Sequence, residues 1–206
     1  MQAAQRPFSA NTSAEKATIE YQEKLSKHRF KLPLYDLVPK TEAAWIAPNC
    51  TLVGEVLIRR FATVWYNTVI RGDLNKVQIY SFSSIGDNCV IHTATSLPTG
   101  MPAEVIIGFN VQVQDNCTLY SCTVEDDVLI GAGSTILEGA KLEKGCQILP
   151  GSVVPPGRLI PAGQCWGGNP VEYVKDLNIA EKMSNYWRSY VYSQSGEYYK
   201  NEFLTW

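Results

Sequence analysis

The sequence predicts an all-β solenoid, a triangular parallel β-helix of hexapeptide repeats, with a C-terminal α-helix packed along it. Three observations lead to this fold class. An aliphatic residue recurs at every sixth position through the middle of the chain, a small residue follows each aliphatic one by four positions, and a helical pattern begins near residue 178. The 206 residues suffice for one such domain with short additions at both ends.

The six-residue period is the strongest of these signals. A helix repeats about every 3.6 residues and a strand about every two, so neither explains it. In a triangular coil, each short strand forms one side and directs one aliphatic side chain inward, where it stacks on its counterparts in neighbouring coils. We therefore predict a continuous inner stack for residues 34–170. Its eighteen members are Ile46, Leu52, Ile58, Val64, Ile70, Ile79, Ile85, Ile91, Ile107, Val113, Leu119, Val124, Ile130, Ile136, Leu142, Ile148, Val154 and Ile160.

The position four residues after an aliphatic one is expected to face inward near a corner, where only small side chains fit. Four of the six cysteines occupy this position, and no two cysteines have the C-x-x-C spacing of a zinc or redox site. We therefore expect buried, reduced thiols rather than disulfides or metal ligands. The residues at this position are Cys50, Val56, Ala62, Thr68, Ser83, Cys89, Val111, Cys117, Val128, Ser134, Ala140, Cys146 and Ser152.

Two stretches interrupt the repeat, residues 71–78 and residues 92–106. The second contains Pro98, Gly100 and Pro102. We predict both as loops that project from corners of the coil, where functional sites are often built.

Residues 171–206 are predicted to form a C-terminal helix with an aromatic tail. Asn178 and Glu181 have the spacing of a helix capping box. The stripe at helical spacing after them is expected to pack against the flank of the β-helix. The tail, residues 193–206, is expected to dock on a partner. The stripe consists of Ile179, Met183, Trp187 and Val191, with Tyr186 and Tyr190 alongside.

Residues 1–33 are predicted to form an N-terminal extension that is partly helical, with Ala17, Tyr21 and Leu25 at helical spacing. The run Arg6-Pro7-Phe8-Ser9 resembles a processing site, which indicates a remnant of a mitochondrial presequence. A solvated terminus explains the same composition.

The charge pattern excludes some functions. The formal net charge is −2 and no run of Lys or Arg forms a basic patch, so nucleic acid is not an expected partner. No apolar stretch is long enough to span a bilayer, so any membrane association is expected to be peripheral. Only two histidines are present, His28 and His92, which restricts any histidine-based metal site.

Several motifs together resemble the γ-class carbonic anhydrases. The resemblance covers roughly residues 34–177 and is most similar to the eukaryotic members attached to mitochondrial respiratory complex I. The segments ending at His92 and near Glu125 are the most specific, whereas the Arg-Gly-Asp and Gly-Gly-Asn-Pro elements are shared more widely among hexapeptide proteins. The motifs lie at residues 46–49, 69–73, 85–92, 122–126 and 166–170.

The resemblance implies a homo- or heterotrimer of left-handed β-helices, each with a C-terminal helix running back along the coil. It also implies active sites between subunits. Two histidines from one chain and one from its neighbour then hold a zinc ion that activates water to attack carbon dioxide.

The resemblance places the family's functional residues on four positions. The first zinc-binding histidine corresponds to His92, and the other two correspond to Asp115 and Tyr120. A carboxylate still ligates zinc, but a phenol with a pKa near 10 is a poor ligand. The glutamine that orients the zinc-bound water corresponds to Gly86, which has no side chain. We therefore expect no cofactor in this chain's own site, with zinc only at an interface between partner subunits.

These residues predict a non-catalytic, carbonic anhydrase-like structural subunit. By resemblance, it is expected in a heterotrimer with other members of the family, attached to the matrix arm of respiratory complex I (NADH dehydrogenase) in the electron-transport chain. Its location would be the matrix side of the inner membrane, with membrane-arm and accessory subunits of the complex as further partners. Arg71 and Asp73 are expected to form contacts across the trimer interface, with an ion pair inside one chain as the alternative.

Two alternatives remain open at this level. One is an active zinc carbonic anhydrase that uses His92, Asp115 and Tyr120. The other is a hexapeptide acyltransferase in which His92, at the start of the second interruption, acts as general base.

Overall fold

The structure, a computed structural model, describes residues 31–34, 36–98, 100 and 102–203. For residues 197 and 200–203 it describes the backbone only. The predicted N-terminal helix, the presequence-like run at Arg6 and the last residues of the aromatic tail lie outside this part of the chain.

The described residues form twenty strands and one helix, most of the strands only two or three residues long. The elements are β1 (Lys31–Leu32), β2 (Lys40–Thr41), β3 (Trp45–Ile46), β4 (Thr51–Ile58), β5 (Thr63–Val64), β6 (Val69–Ile79), β7 (Ser84–Ile85), β8 (Val90–His92), β9 (Val105–Ile107), β10 (Gln112–Val113), β11 (Thr118–Tyr120), β12 (Thr123–Val124), β13 (Leu129–Ile130), β14 (Thr135–Ile136), β15 (Lys141–Leu142), β16 (Gln147–Ile148), β17 (Val153–Val154), β18 (Leu159–Ile160), β19 (Gln164–Gly167), β20 (Glu172–Asp176) and α1 (Ile179–Phe203).

The strands stack in parallel on three faces. Face A contains β3, β5, β7, β10, β13, β16 and β19 in that order, and β20 pairs antiparallel with β19 at its end. Face B contains the first halves of β4 and β6, then β8, β11, β14 and β17. Face C contains the second halves of β4 and β6, then β9, β12, β15 and β18. The predicted solenoid is confirmed, with about seven turns.

The inner stack is the core of the molecule. Seventeen of the eighteen aliphatic residues predicted from the period are 0–1% exposed. Ile46, in the first full turn, is only half-buried because it lies near the open end of the stack. The small residues at the corners are buried as predicted, and all six cysteines are buried and unpaired. Since each turn buries its inner face against its neighbours, the core forms only when several turns stack.

The interruptions differ from the sequence prediction. The first was predicted as a loop, but it lies within β6, and that prediction is wrong for the half of its residues that pair with β4. The ladder with β4 runs as far as Gly72 and resumes at Val77, so only the four residues between them bulge out. The second interruption is confirmed as a loop between β8 and β9. Three of its own side chains, Ala94, Leu97 and Ala103, form a small buried apolar cluster.

Helix α1 begins with the capping box predicted from the sequence. The Glu181 amide donates to Asn178 Oδ1 at 2.8 Å, and the Asn178 amide donates to Glu181 Oε2 at 3.0 Å. Two backbone donors at the helix start are thereby satisfied. No helix in the described part of the chain is both long and apolar enough to cross a membrane.

The prediction for the apolar stripe of α1 is wrong for its four main members, whereas Tyr190 alongside them stacks on Phe82 of the solenoid as expected. Ile179 is 82% exposed and Trp187 is 55% exposed, and Met183 and Val191 are also exposed. The opposite side of the helix, with Ser189 and Ser193, is buried against face A instead.

The polar side chains on the outer surface of face A explain this orientation. Its outer row carries polar side chains, among them Thr63, Ser84, Gln112 and Gln147, and Asn185 of α1 donates a hydrogen bond to Gln147. Small residues on the helix allow close approach to this row, as at Gly196, where an added Cβ would overlap Thr63.

Candidate functional site

His92 and Tyr120 lie side by side at the ends of β8 and β11. They are direct partners in the parallel ladder of face B. Their rings stack with centroids 4.2 Å apart and an interplanar angle of 22°. Tyr120 also packs against the apolar cluster under the second loop. One face of the imidazole is therefore covered by a phenol that is itself held in place by the loop.

Arg71 is the next residue in the same row, opposite His92 in β6. Its Nε and Nη2 both donate to Asp73 Oδ2, the first at 3.1 Å. The ion pair inside one chain, the alternative from the sequence, is thus present, whereas a contact across a trimer interface stays a prediction. Burial by itself raises the pKa of Asp73, but the hydrogen bond and charge of Arg71 outweigh this and lower the pKa.

The pKa of His92 is lowered from its usual value. Burial is the larger cause, because it disfavours the imidazolium, and the positive charge of Arg71 acts in the same direction against the opposing effect of Asp73. The imidazole is therefore biased towards its neutral form near pH 7.

Asp115 and Gly86 lie together at another corner, between faces A and B. Asp115 Oδ1 accepts a hydrogen bond from the Asp87 amide at 2.9 Å. A Cβ at Gly86 would lie 2.8 Å from the Asp115 amide nitrogen, closer than real Cβ atoms come. Asp115 precedes β11 and Tyr120 ends it, so the strand separates them. The structure thus brings His92 next to Tyr120 and Gly86 next to Asp115. The two pairs lie at different places on the coil.

These positions do not fit a zinc ion within one chain. Zinc needs at least three nitrogen, sulfur or oxygen ligands that converge on one point. In the described ranges, no group of three or more His, Cys, Asp or Glu side chains is arranged to hold a metal ion. Beside His92 in the ladder of face B are the phenol of Tyr120 and the guanidinium of Arg71, and the positive charge of Arg71 opposes a bound cation more strongly than Asp73 favours it.

Three of the buried cysteines do not offer ligands in place of histidines. Burial raises the pKa of Cys50 to about 11 and the pKa values of Cys122 and Cys146 to about 12. The thiolate is the form that binds metal, and these groups stay protonated at neutral pH.

A cleft of about 450 Å³ opens between α1 and face A, beside Asp115. Sequence analysis missed it because its walls come from residues far apart in the chain. The sequence contains one signal for it. Ser84 and Gln112 each precede an inner aliphatic residue of face A, and such positions place polar side chains on the outer side of the coil. The cleft is lined by Trp65, Ser84, Gly86, Asp87, Gln112, Val113, Gln114, Asp115, Ala132, Tyr192, Ser195 and Tyr199.

Comparison with known proteins gives matches along most of the chain. The family model described as bacterial transferase hexapeptide (six repeats) matches residues 121–156. A crystal structure of a hexapeptide transferase family protein from Anaplasma phagocytophilum superposes with a TM-score of 0.76 and 28% identity, covering 82% of this chain and 97% of that one.

Two curated relatives come from Arabidopsis thaliana. Gamma carbonic anhydrase 1, mitochondrial, is 36% identical over 173 residues, which are 81% of this chain and 63% of the relative. Gamma carbonic anhydrase-like 1, mitochondrial, is 39% identical over 177 residues, which are 85% of this chain and 69% of the relative. The chain thus spans under two thirds of the first relative's length. The two sequence identities are similar, so they do not show whether the chain is more closely related to the carbonic anhydrases or to the carbonic anhydrase-like proteins.

Proposed function

The chain belongs to the γ-carbonic anhydrase family, and we propose that it is a non-catalytic structural subunit of a trimer of family members. The trimer is attached to the matrix arm of mitochondrial respiratory complex I, on the matrix side of the inner membrane. Membrane-arm and accessory subunits of the complex are its further partners.

The stacking of Tyr120 on His92 is the observation that carries this proposal. The family resemblance places two of the three zinc ligands at these positions. Here the second is a phenol whose ring lies flat against the imidazole at 4.2 Å. A phenol is not among the nitrogen, sulfur and carboxylate ligands that hold zinc in proteins.

The separation of Asp115 from His92 fits the same proposal. If the family's arrangement between subunits holds, a homotrimer offers each site His92 and Tyr120 from one chain and Asp115 from its neighbour. One imidazole, one phenol and one carboxylate make a weak zinc site. In a heterotrimer, zinc binds only where partner chains supply the histidines.

Subunit contact is supported by the outer surface of face B. One row of its outward side chains is β-branched and mostly half-buried in the single chain, and a second subunit can cover this row. The row consists of Thr51, Val69, Val90, Thr118, Thr135 and Val153.

Attachment to a larger assembly is supported by the exposed stripe of α1. Helices normally bury their apolar side, but α1 buries serines and exposes Met183, Trp187 and Val191. Exposed apolar patches of this kind mark interaction sites. The mitochondrial relatives support the location.

The first test measures zinc and carbon dioxide hydration in the purified full chain. We expect neither stoichiometric zinc nor turnover above the uncatalysed rate. The matched variant Asp115→His/Tyr120→His restores both imidazoles, and we expect it to gain zinc if the chain assembles as a homotrimer. Turnover with one zinc per chain in the unmodified protein would reverse the assignment.

The second test addresses assembly. We expect the chain to migrate with complex I when mitochondrial membranes are resolved by native electrophoresis, and Trp187→Glu to release it as a free trimer. Gln194→Glu adds the same charge at another exposed position of α1 and serves as control. Migration of the unmodified chain only as a free trimer contradicts the attachment while leaving the zinc result unaffected.

A further inference from the structure

We propose that the exposed apolar stripe of α1 lies against the surface of an anionic lipid bilayer. The inference deepens the attachment proposed above and rests on it for a location at the inner membrane. It names the surface that the stripe contacts, which is lipid rather than another protein chain.

The composition of the stripe is that of a helix surface at a membrane interface. Helix α1 has 25 residues and is about 37 Å long, and its stripe faces away from the solenoid. Tryptophan and tyrosine are enriched where a membrane meets water, because each combines an apolar ring with a polar atom that stays hydrated. Trp187 is 55% exposed, and Tyr186 and Tyr190 beside it are also exposed. These rings can enter the headgroup region together with the aliphatic members of the stripe.

The shape of the stripe favours lipid over a protein partner. Its four main members are 50–82% exposed, so they project from the helix instead of lining a groove. A protein partner has to supply a fitted pocket for each projecting side chain. The interfacial region of a bilayer is fluid and accommodates projecting apolar side chains without such pockets.

The charges of α1 complement an anionic surface. From residue 182 to residue 196 the helix carries two cations, Lys182 and Arg188, and no carboxylate. They lie about 140° and 100° around the helix from Trp187 in opposite directions, so one cation stands on each side of the stripe. Neither forms an ion pair within the described part of the chain, and the nearby Glu181 is paired with Lys175. Both cations can therefore meet lipid phosphates beside the inserted rings.

Formation of the trimer leaves the stripe available. Subunit contact is proposed for the outer surface of face B, whereas α1 crosses face A, where Asn185 bonds to Gln147 and Gly196 meets Thr63. The chain can therefore contact its neighbours in the trimer and a bilayer at the same time.

Flotation of the purified full chain with lipid vesicles tests the proposal. The vesicles are phosphatidylcholine alone and phosphatidylcholine with one fifth cardiolipin, an anionic lipid. We expect saturable binding to the second kind and about tenfold weaker binding to the first, because each basic residue near an anionic surface adds attraction. Absence of binding to both kinds overturns the proposal.

The outcomes separate this proposal from the attachment to complex I. If the chain does not bind vesicles but Trp187→Glu still releases it from the complex, the stripe contacts a protein and the lipid proposal is wrong. Binding to vesicles by a chain that does not migrate with the complex contradicts only the attachment.

A pair of double variants tests the apolar contact. Trp187→Ser/Val191→Ser removes two projecting side chains of the stripe, and we expect about a tenfold loss of binding to cardiolipin vesicles. Tyr80→Ser/Leu159→Ser removes two exposed apolar side chains of the solenoid and should change the binding by no more than about twofold. Thermal unfolding checks that both variants retain the fold. Equal losses in the two variants contradict a contact through α1.

A second pair tests the cations. Lys182→Gln/Arg188→Gln should bind the two kinds of vesicle about equally, because the charges beside the stripe are gone. Lys40→Gln/Lys76→Gln removes the same net charge from residues outside α1 and should keep the preference for cardiolipin. Loss of the preference in both variants indicates a general charge effect and contradicts the proposed orientation.

Fluorescence quenching locates the contact within the chain. Lipids brominated on their acyl chains quench a tryptophan that touches the hydrocarbon region, so we expect vesicle binding to quench Trp187. Trp187→Phe keeps an apolar ring and should still bind, but most of the quenching should be lost. Unchanged quenching in this variant would mean that another tryptophan touches the lipid, which overturns the assignment to α1.

Discussion

At the scale of single residues, His92 and Tyr120 bear on whether this chain can hold a metal ion. An imidazole nitrogen is a good zinc ligand, whereas the phenol stacked beside it is a poor one. Arg71 completes the row and adds a positive charge beside the imidazole. The three side chains therefore supply one imidazole, one phenol and one guanidinium, which do not make a set of zinc ligands.

The lowered pKa of His92 predicts a pH dependence of stability. Burial and then Arg71 lower this pKa in the folded state, so the neutral imidazole contributes stability that is present above its unfolded pKa of about 6.5. That stability is lost progressively as the pH falls from there through the folded pKa. Urea denaturation of the chain between pH 7.5 and 5.5 should show a decrease in the free energy of unfolding.

His92→Gln is the control for this pH dependence, because it keeps a planar polar group that does not titrate. The variant should lose part of the decrease between pH 7.5 and 5.5. The carboxylates with lowered pKa values, such as Asp73 and Glu125, titrate below this window and should not contribute. An identical slope in both proteins would assign the pH dependence to other groups.

At the scale of elements, α1 lies with its small polar side against the solenoid. Serines, Asn185 and Gly196 meet a row of polar side chains on face A, and the glycine allows the helix to approach Thr63 closely. Close contact and hydrogen bonds on this side, together with the rings of Tyr190 and Tyr199 that pack on the solenoid, therefore fix how this helix is docked.

The contact at Gly196 gives a prediction against the usual helix propensity. Gly→Ala in a helix normally stabilises by about 1 kcal/mol. Here the new Cβ would overlap Thr63 Cγ2 and lie 3.2 Å from Trp45 Cβ, so we expect Gly196→Ala to destabilise by about 1–3 kcal/mol. Thermal or urea unfolding measures the change.

The double variant Gly196→Ala/Thr63→Ser tests that cause. It removes the overlapping methyl group but keeps the hydroxyl that donates to Ser84 Oγ at 2.9 Å. In the Thr63→Ser background, Gly196→Ala should therefore reduce the free energy of unfolding much less than it does in the unmodified chain. Without such recovery, another feature of the helix position is responsible.

The capping box gives a second prediction at this scale. Asn178→Ala removes the acceptor for the Glu181 amide, and we expect a loss of about 1 kcal/mol in the free energy of unfolding. Glu181→Gln retains an acceptor for the Asn178 amide and loses only the ion pair with Lys175, so its effect should be smaller. A larger loss for Glu181→Gln would mean that the ion pair holds the helix start.

At the scale of the whole molecule, stability comes from stacking of successive turns. Central inner residues have a turn on each side, whereas the first turn has a neighbour on one side only. A repeat architecture of this kind distributes stability over interfaces between neighbouring turns.

This distribution predicts a difference between equal truncations. Ile136→Ala in a central turn leaves a cavity in the closed stack, and we expect a loss of about 2–5 kcal/mol. Ile46→Ala near the open end should cost about 1 kcal/mol or less, because Ile46 is only half-buried and its site is open to water. Urea unfolding of both variants measures the difference, and equal losses would contradict the stacking explanation.

The sequence alone determined the solenoid, its inner stack, the burial of the cysteines and the capping box. Each of these depends on residues a few positions apart, and a period of six leaves one fold that buries every repeated aliphatic residue. Tertiary structure decided the rest. The exposed side of α1 could not be inferred from the sequence, because the usual rule is that an apolar stripe packs on its own domain. Here the outer surface of face A is polar and contacts the side of the helix that carries small polar residues.

Contacts between turns also needed the structure. His92 and Tyr120 are 28 residues apart, and they meet because the loop between β8 and β9 has the length that brings their strands into register. Gly86 and Asp115 meet for the same reason, and the cleft beside them also requires α1 to return along face A. Neighbours in a repeat fold are set by the lengths of its interruptions, which no local pattern encodes.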